Sequence, residues 1–377
     1  MGDRLHSIDT LRAVAMFFIV VAHVDPFRGF GAHGNYVYFA LDTLGQFDVP
    51  FFFAASGYFL ARSLTPDDAR AYVSGAFRKV GSLYLFGILL YLAATTVVAL
   101  LQGADVINAL LTRRLDDPSL LGFLYYGDTI GVPLWFLTAL FFSICFVTLF
   151  VKFEKTRYLL PVAALLHVVG LVGTNLQPLV EVPFETRDAL FFGFFYVALG
   201  YRLRTSNWSP SEDRSRLYLG AICLVVALQL AEQYAVGYLL RDTTLAQGIV
   251  TTEYTLSTVF FVVALFAYAL SNPDWGKNTV LPSVGRHAVG IYLVHIPVYR
   301  IIVTANELWG PAVGVDFSTT VLWQVTITPL VYVVSLAVYL LMAKAGVIEL
   351  GGSHFPWFAR LRTQVASAVS TRDSETN

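Results

Sequence analysis

The chain has 377 residues, of which 56% are hydrophobic, 15% aromatic and only 14% charged. A soluble domain usually carries about 25% charged residues, so this composition excludes an ordinary soluble globular protein. The net charge of −1 offers no basic field for nucleic acid, and Cys145 and Cys223 lie inside apolar runs, which excludes a disulfide framework or a cysteine metal site.

Apolar runs of spanning length recur along the chain. A spanning helix needs about 20 mostly apolar residues, and lipid offers no partner to unpaired backbone groups, so each run is predicted to be helical. The first run follows a charged start without a small-x-small cleavage site, which indicates a retained signal anchor. The sequence predicts an all-α integral membrane protein with about ten transmembrane helices, at residues 8–27, 44–63, 80–101, 132–152, 157–174, 188–204, 216–240, 249–271, 280–304 and 319–345.

Lys and Arg are unevenly divided between the connections of these spans. The two termini and every second loop hold most of them, whereas the alternate loops hold few. Because cytoplasmic loops are enriched in Lys and Arg, both termini are predicted to be cytoplasmic. Residues 1–350 are expected to form one transmembrane domain, and residues 351–377 a partly disordered cytoplasmic tail.

The first span carries Arg12 near its start and His23 near its end, and every residue between them is apolar. Their spacing of eleven residues places both on one face of a helix, about 16 Å apart along its axis, and Asp9 shares that face. Polar groups at membrane depth usually face a cavity or pathway. The pair therefore predicts a passage with a cationic mouth, suited to a long anionic ligand. The alternatives are a snorkelling Arg12 paired with Asp9 and a buried, structural His23.

Four motifs, in order, carry a resemblance to a known family. "SIDTLRAVAMFFIVVAH" (7–23) resembles the opening helix of the acyltransferase family 3 membrane proteins, which carry an Arg/Lys-x10-His signature. "VPFFFAASGYFLARS" (49–63) resembles the family's second helix, and "VPLWFLTALFF" (132–142) its Trp-Phe-Leu helix. "VGRHAVGIYLVHIPV" (284–298) resembles its late helix. The resemblance covers essentially the whole chain.

The resemblance implies a ten-helix O-acyltransferase of a bacterial inner (plasma) membrane. Such an enzyme takes an acyl group, often acetyl, from cytosolic acyl-CoA and passes it to a hydroxyl of a carbohydrate or glycolipid at the outer face. No metal is implied. Two departures concern the donor site: Arg78 and Lys79 are adjacent where many members have Arg-x-x-Arg before a proline, and Gly285-Arg286-His287 stands where a small hydroxyl residue is common.

Acyl transfer needs a base for the hydroxyl proton and a group that stabilises an oxyanion. Because histidine titrates near neutrality, His23 is predicted to be the general base, with an acyl-histidine intermediate left open. Arg12 is predicted to bind the phosphates of acyl-CoA, since arginine forks match phosphate oxygens. Further donor-site cations are expected at Arg78, Lys79, Arg202, Arg204 and Arg286, although each could instead follow the positive-inside rule alone.

The remaining candidates belong to later helices. Tyr292 and His295 share a face and are expected either to act in catalysis or to form a structural Tyr–His hydrogen bond. Trp135 is expected either to line the acceptor pocket or to anchor an interface, and Glu232 and Glu253 either to bind acceptor hydroxyls or to orient His23. Ser56-Gly57 is expected to permit close helix packing rather than to supply a nucleophile.

Two other classes of protein fit part of the pattern. Intramembrane Glu and His in ten spans would suit a proton-coupled secondary transporter or an exporter of a small molecule or lipid-linked sugar. No paired Gly/Pro-broken segments and no half-to-half symmetry support that reading. An acyltransferase-like sensor without chemistry is the third reading, against which the complete Arg12–His23 pair argues.

Overall fold

The computed structural model describes residues 4–111, 119–175, 186–206, 208–247, 252 and 255–348. In these ranges the chain is mostly helical, with turns between the helices, and contains no strand. The helices are α1 (His6–Val24), α2 (Gly31–Gly45), α3 (Asp48–Leu60), α4 (Ala69–Leu101), α5 (Val106–Leu111), α6 (Trp135–Lys152), α7 (Thr156–Asn175), α8 (Phe194–Thr205), α9 (Ser215–Tyr234), α10 (Leu256–Ser271), α11 (Leu281–Arg286), α12 (Ala288–Val313) and α13 (Val321–Lys344).

Seven helical segments in these ranges are long and apolar enough to cross a membrane. They coincide with seven of the predicted spans, including those that contain α1, α4 and α6. The other three predicted intervals hold α3, α8 and α10, with 13, 12 and 16 residues. The chain is therefore a helical membrane protein, while ten spans and cytoplasmic termini stay predictions. The whole of the predicted tail, 351–377, lies outside the described residues.

Helix α1 lies at the centre of the bundle. Its residues Ile8, Leu11 and Ala15 belong to one buried apolar cluster, and Met16 and Ile19 belong to a second one. By contrast, only 28% of the spanning window of α7 and of α13, and 17% of that of α9, is buried. These outer helices present apolar side chains outward, as expected where the surrounding solvent is lipid. The window of α1 is 67% buried, the largest share among these spans, so polar groups on α1 lie mainly against protein.

Close packing between α3 and α8 depends on glycine. A Cβ atom added to Gly57 would collide with the main-chain carbonyl of Val197. Only a residue without a side chain allows these backbones to approach so closely, as in other small-residue helix interfaces. The structure agrees here with the packing role expected for Ser56-Gly57, and the Ser56 hydroxyl donates to the carbonyl of Phe52 on its own helix.

Candidate active site

Two cavities meet at His23. The first cavity, of about 370 Å³, follows α1 from Arg12 past Met16 and Ile19 to His23. The second cavity, of about 270 Å³, begins at Ile19 and His23 and continues past the end of α1 to Asp25 and Arg28. His23 is half-buried and lines both. One imidazole therefore faces two compartments.

The guanidinium of Arg12 is fixed at the other end of the first cavity. Its Nη1 lies 3.2 Å from Oδ1 of Asp9, and Oδ2 of Asp9 accepts from Arg4 at 2.9 Å. The Arg12 guanidinium also lies over the ring of Phe59, 5.0 Å from its centroid. The predicted Asp9–Arg12 pair thus exists, yet Arg12 lines the cavity as well, because Asp9 engages only one edge of its fork.

Two further cations line the first cavity, Lys79 on α4 and Arg286 on α11. The backbone of α11 approaches α1 so closely that a Cβ on Gly285 would collide with the carbonyl of Asp9. This contact brings Arg286 to the Arg12 end of the cavity, where its Nη2 donates to Ser283 at 3.1 Å. Three cations from three helices therefore line one compartment.

Arg78, Arg202 and Arg204 do not join this group. Arg78 is exposed and donates to the carbonyl of Ser74 within its own helix at 3.4 Å. Arg202 and Arg204 end α8, none of whose described residues lines the first cavity, and Arg204 donates to the hydroxyl of Tyr58 at 3.1 Å. Arg78, Arg202 and Arg204 therefore lie outside the first cavity, and their role in donor binding stays a prediction.

His295 lies beside His23, with 5.2 Å between the ring centroids. Its Nδ1 lies 2.6 Å from the main-chain carbonyl of Tyr292, which can only accept, so Nδ1 must carry a proton. In a neutral ring Nε2 is then an acceptor, and this buried atom has no hydrogen-bond partner among the described residues. The structure thus leaves a buried acceptor next to His23.

Tyr292 and His295 do form a hydrogen bond, but it joins the His295 ring to the main-chain carbonyl of Tyr292 and not to its hydroxyl. The hydroxyl of Tyr292 instead donates to the main-chain carbonyl of Pro133, which links α12 to the start of α6. The Tyr292 ring lines the first cavity. Tyr292 therefore helps to position the two histidines. Its hydroxyl bonds to Pro133, and its main-chain carbonyl bonds to His295.

Trp135 is buried and lines both cavities, as His23 does. The guanidinium of Arg187 lies over the Trp135 ring, 5.1 Å from the centroid, and Arg187 also lines the second cavity. The next residue, Asp188, accepts from the amide of Phe191 at 2.8 Å and from the hydroxyl of Tyr125 at 2.8 Å. These bonds hold the backbone that carries Arg187.

Polar side chains dominate the rest of the second cavity. Asp25 forms an ion pair with Arg28 at 2.6 Å and accepts from the hydroxyl of Tyr38 at 3.1 Å. The hydrogen bond to Asp25 raises the pKa of Arg28, and burial raises the pKa of Tyr38, so both remain protonated donors at neutral pH. Asp42 and Asp48 add two carboxylates to the lining. The cavity can therefore bind a ligand rich in hydroxyl groups.

Glu232 does not reach either cavity. Its two carboxylate oxygens accept from the main-chain amides of Leu256 at 2.7 Å and Ser257 at 2.8 Å, at the beginning of α10. This is the contact by which an acidic side chain satisfies the free amides of a helix N-terminus. Glu232 thus caps α10, and its role in binding the acceptor stays a prediction. Glu253 lies outside the described residues.

The sequence reasoning missed Tyr38, Asp42, Asp48 and Arg187. Tyr38 and Asp42 belong to α2, which lies between the predicted spans 8–27 and 44–63, and Arg187 directly precedes the predicted span 188–204. A signal was available at Asp48, a carboxylate directly before the apolar run of α3. An acid at the edge of a span is costly to bury and usually functional.

Residues 5–340 match the family model of the acyltransferase domain. Among curated proteins, the chain is 27% identical over 249 residues to an amino-acid racemase of Enterococcus faecalis, a match that covers 62% of this chain and 33% of that protein. It is 25% identical over 312 residues to a serine/alanine racemase of Enterococcus gallinarum, covering 77% of this chain and 40% of that protein. The chain thus spans well under half the length of these relatives. No solved structure matches it.

Proposed function

Since the chain belongs to the acyltransferase 3 family, we propose that it is a membrane O-acyltransferase that moves an acyl group, acetyl first, from cytosolic acyl-CoA to a hydroxyl of a carbohydrate or glycolipid at the extracytoplasmic side. One observation carries this proposal. His23 lies where a cavity lined by cations meets a cavity lined by polar and acidic groups. An anionic donor and a hydroxyl acceptor would meet at that imidazole.

The first cavity would receive the donor. Arg12, Lys79 and Arg286 would bind the phosphates of CoA, because cations compensate phosphate charge and arginine does so with two parallel hydrogen bonds. The interior of the cavity is mainly apolar, with Met16, Ile19 and Phe136 in its lining. Such a lining suits the pantetheine arm and the acyl group. The thioester would then lie near His23.

The second cavity would receive the acceptor. His23 removes the hydroxyl proton as the acceptor oxygen attacks the thioester carbonyl, and the carbon–sulfur bond of the tetrahedral intermediate then breaks. The proton passes from His23 to the departing thiolate, which leaves as CoA. Arg187, held over Trp135, supplies a positive charge on the His23 side of the second cavity and would stabilise the oxyanion.

His295 would position His23 rather than touch the substrate. Its Nε2 is an acceptor, so it can receive the N–H of His23 after a small rotation of either ring. That hydrogen bond would select the His23 tautomer whose other nitrogen is free to act as the base. The arrangement follows the general logic in which a catalytic base is oriented by a third group.

The test uses purified protein in lipid nanodiscs with acetyl-CoA labelled in the acetyl group. We expect CoA release that depends on an added extract of cell-surface glycans and that transfers the label to a glycan. In intact cells, mass spectrometry should find a surface glycan that loses an acyl mass when the gene is deleted. A transporter or a sensor would release no CoA, and that result would contradict the proposal.

A further inference from the structure

A third cavity lies beyond the end of α1 that carries His23. Its volume is about 620 Å³, and it lies between the last turns of α12 and the first turns of α13. Its lining includes Asn306 and Glu307 of α12 and Trp323 and Gln324 of α13. It is larger than the second cavity, and neither family motif nor proposed chemistry accounts for it.

The second and third cavities share two residues, Asp25 and Arg28. These two side chains form the 2.6 Å ion pair, and Arg28 is exposed. Gln324 holds the same turn from the other side, since its Oε1 accepts from the amide of Phe27 at 2.7 Å. One ion pair on a fixed turn therefore separates the two compartments, and a molecule that crosses it would occupy both.

The lining of the third cavity identifies the kind of molecule. Asn306 lines this cavity, and a side-chain amide can both donate to and accept from a ligand hydroxyl. Tyr299 and Trp323 supply aromatic surface with a polar edge, which suits a ligand with both apolar and hydroxyl faces. Asp25, Glu307 and Asp316 outnumber Arg28, which disfavours an anion.

We propose that the third cavity is a second acceptor subsite, which holds a neutral sugar unit linked to the one that is acylated. This inference rests on the proposed function and deepens it. The reacting unit lies in the second cavity with its hydroxyl at His23, the linkage passes Asp25 and Arg28, and the next unit contacts Asn306 and Trp323. The acceptor is therefore an oligosaccharide or longer glycan, and a single sugar binds weakly.

The experiment measures binding to the full-length protein in nanodiscs without donor. The probes are glucose with its β-1,4-linked dimer and trimer, and N-acetylglucosamine with its β-1,4-linked dimer and trimer. We expect an oligomer of at least one series to bind about tenfold or more tightly than its monomer, as one added hydrogen bond and one stacking contact would give. Equal affinities for monomer and oligomers in both series, or no binding at all, overturn the proposal.

Variants test which residues are responsible for the tighter binding of the oligomer. Asn306→Ala and Trp323→Ala, singly and together, should remove the preference for the oligomer and leave the affinity for the monomer unchanged, which also shows that each variant is folded. Trp309→Ala is the matched control, because Trp309 lies on α12 but is 73% exposed and outside the third cavity. An oligomer preference that survives in both single variants overturns the subsite. Failure of acetyl-CoA to release CoA in the same samples counts against the proposed function and leaves the subsite intact.

Discussion

The imidazole of His295 lies beside that of His23, with the ring planes inclined by 40°. His23 ends a helix in the centre of the bundle, and His295 stands on α12 above a carbonyl that fixes its tautomer. The two imidazoles therefore have different surroundings. His23 faces both cavities, whereas His295 is 1% exposed and faces mainly its neighbour.

The first prediction concerns His23. Replacement by Ala or Gln should lower kcat for acyl transfer by about 100-fold or more, the usual contribution of a general base, with KM for acetyl-CoA within about twofold of the original. Transfer of labelled acetyl groups measures this. His33→Ala is the control, because His33 is exposed on α2 and lines neither cavity. Activity retained in His23→Gln would remove His23 from the mechanism.

The second prediction separates the two nitrogens of His295. His295→Asn retains a donor for the carbonyl of Tyr292 but lacks an acceptor at Nε2, so kcat should fall about tenfold while both KM values hold. His295→Gln places an amide oxygen near Nε2 and should recover part of kcat. If Asn and Gln variants have equal kcat, His295 has only a packing role.

The third prediction tests the donor site at Arg12. Arg12→Ala removes a charge-assisted contact worth about 1.5–3 kcal/mol, so KM for acetyl-CoA should rise about tenfold or more. Arg12→Lys keeps the charge but loses the bidentate guanidinium, so its KM for acetyl-CoA should lie between those of the original protein and Arg12→Ala. Arg157→Ala, an exposed arginine on α7, should leave KM unchanged. An unaltered KM in Arg12→Ala would place the phosphates elsewhere.

The fourth prediction compares two adjacent cations. Lys79 lines the first cavity and Arg78 does not, although both are exposed on α4. Lys79→Ala should raise KM for acetyl-CoA several-fold, and Arg78→Ala should change it less than twofold. Steady-state kinetics measured in parallel compare KM for acetyl-CoA in the two variants. The reverse order would mean that α4 turns when the donor binds.

The fifth prediction concerns Glu232. Because Glu232 accepts from two amides at the start of α10, Glu232→Ala should destabilise the protein by about 1 kcal/mol and lower its unfolding temperature. KM for the acceptor should not change, since Glu232 lies outside both cavities. Thermal unfolding in detergent and acceptor kinetics test the two halves. If Glu232→Ala raises KM for the acceptor and leaves the stability unchanged, Glu232 binds the acceptor.

Much of the Arg12 end of the site could be predicted from the sequence, for a physical reason. A single helix carries Arg12 and His23, and its periodicity alone places both on one face. The choice between Arg78 and Lys79 could not be made in the same way. Adjacent residues on a helix point about 100° apart, so the choice depends on how α4 is rotated against its neighbours. Charge patterns contain no information on that rotation.

The polar second cavity could not be predicted from the sequence, for a different reason. Helix α2 begins with glycines, His33 and Asn35, and its apolar run, 36–41, is far too short for a span, so its pattern does not predict a helix against the end of α1. Tyr38 and Asp42 reach the cavity only because that helix exists. For the short helices α3, α8 and α10, the sequence predicts the apolar run but not the length of the helix. Their apolar runs predict spans, but the length of regular helix depends on backbone geometry at their ends.

The ion pair between Asp9 and Arg12 has a consequence for turnover. While the first cavity is empty, Asp9 compensates the charge of a guanidinium that would otherwise be costly at that depth. Under the proposed function, a donor phosphate would compete with this carboxylate for Arg12, which would weaken its binding. Spent CoA would carry the same phosphates as the incoming thioester, so the returning contact between Arg12 and Asp9 would favour release of the product.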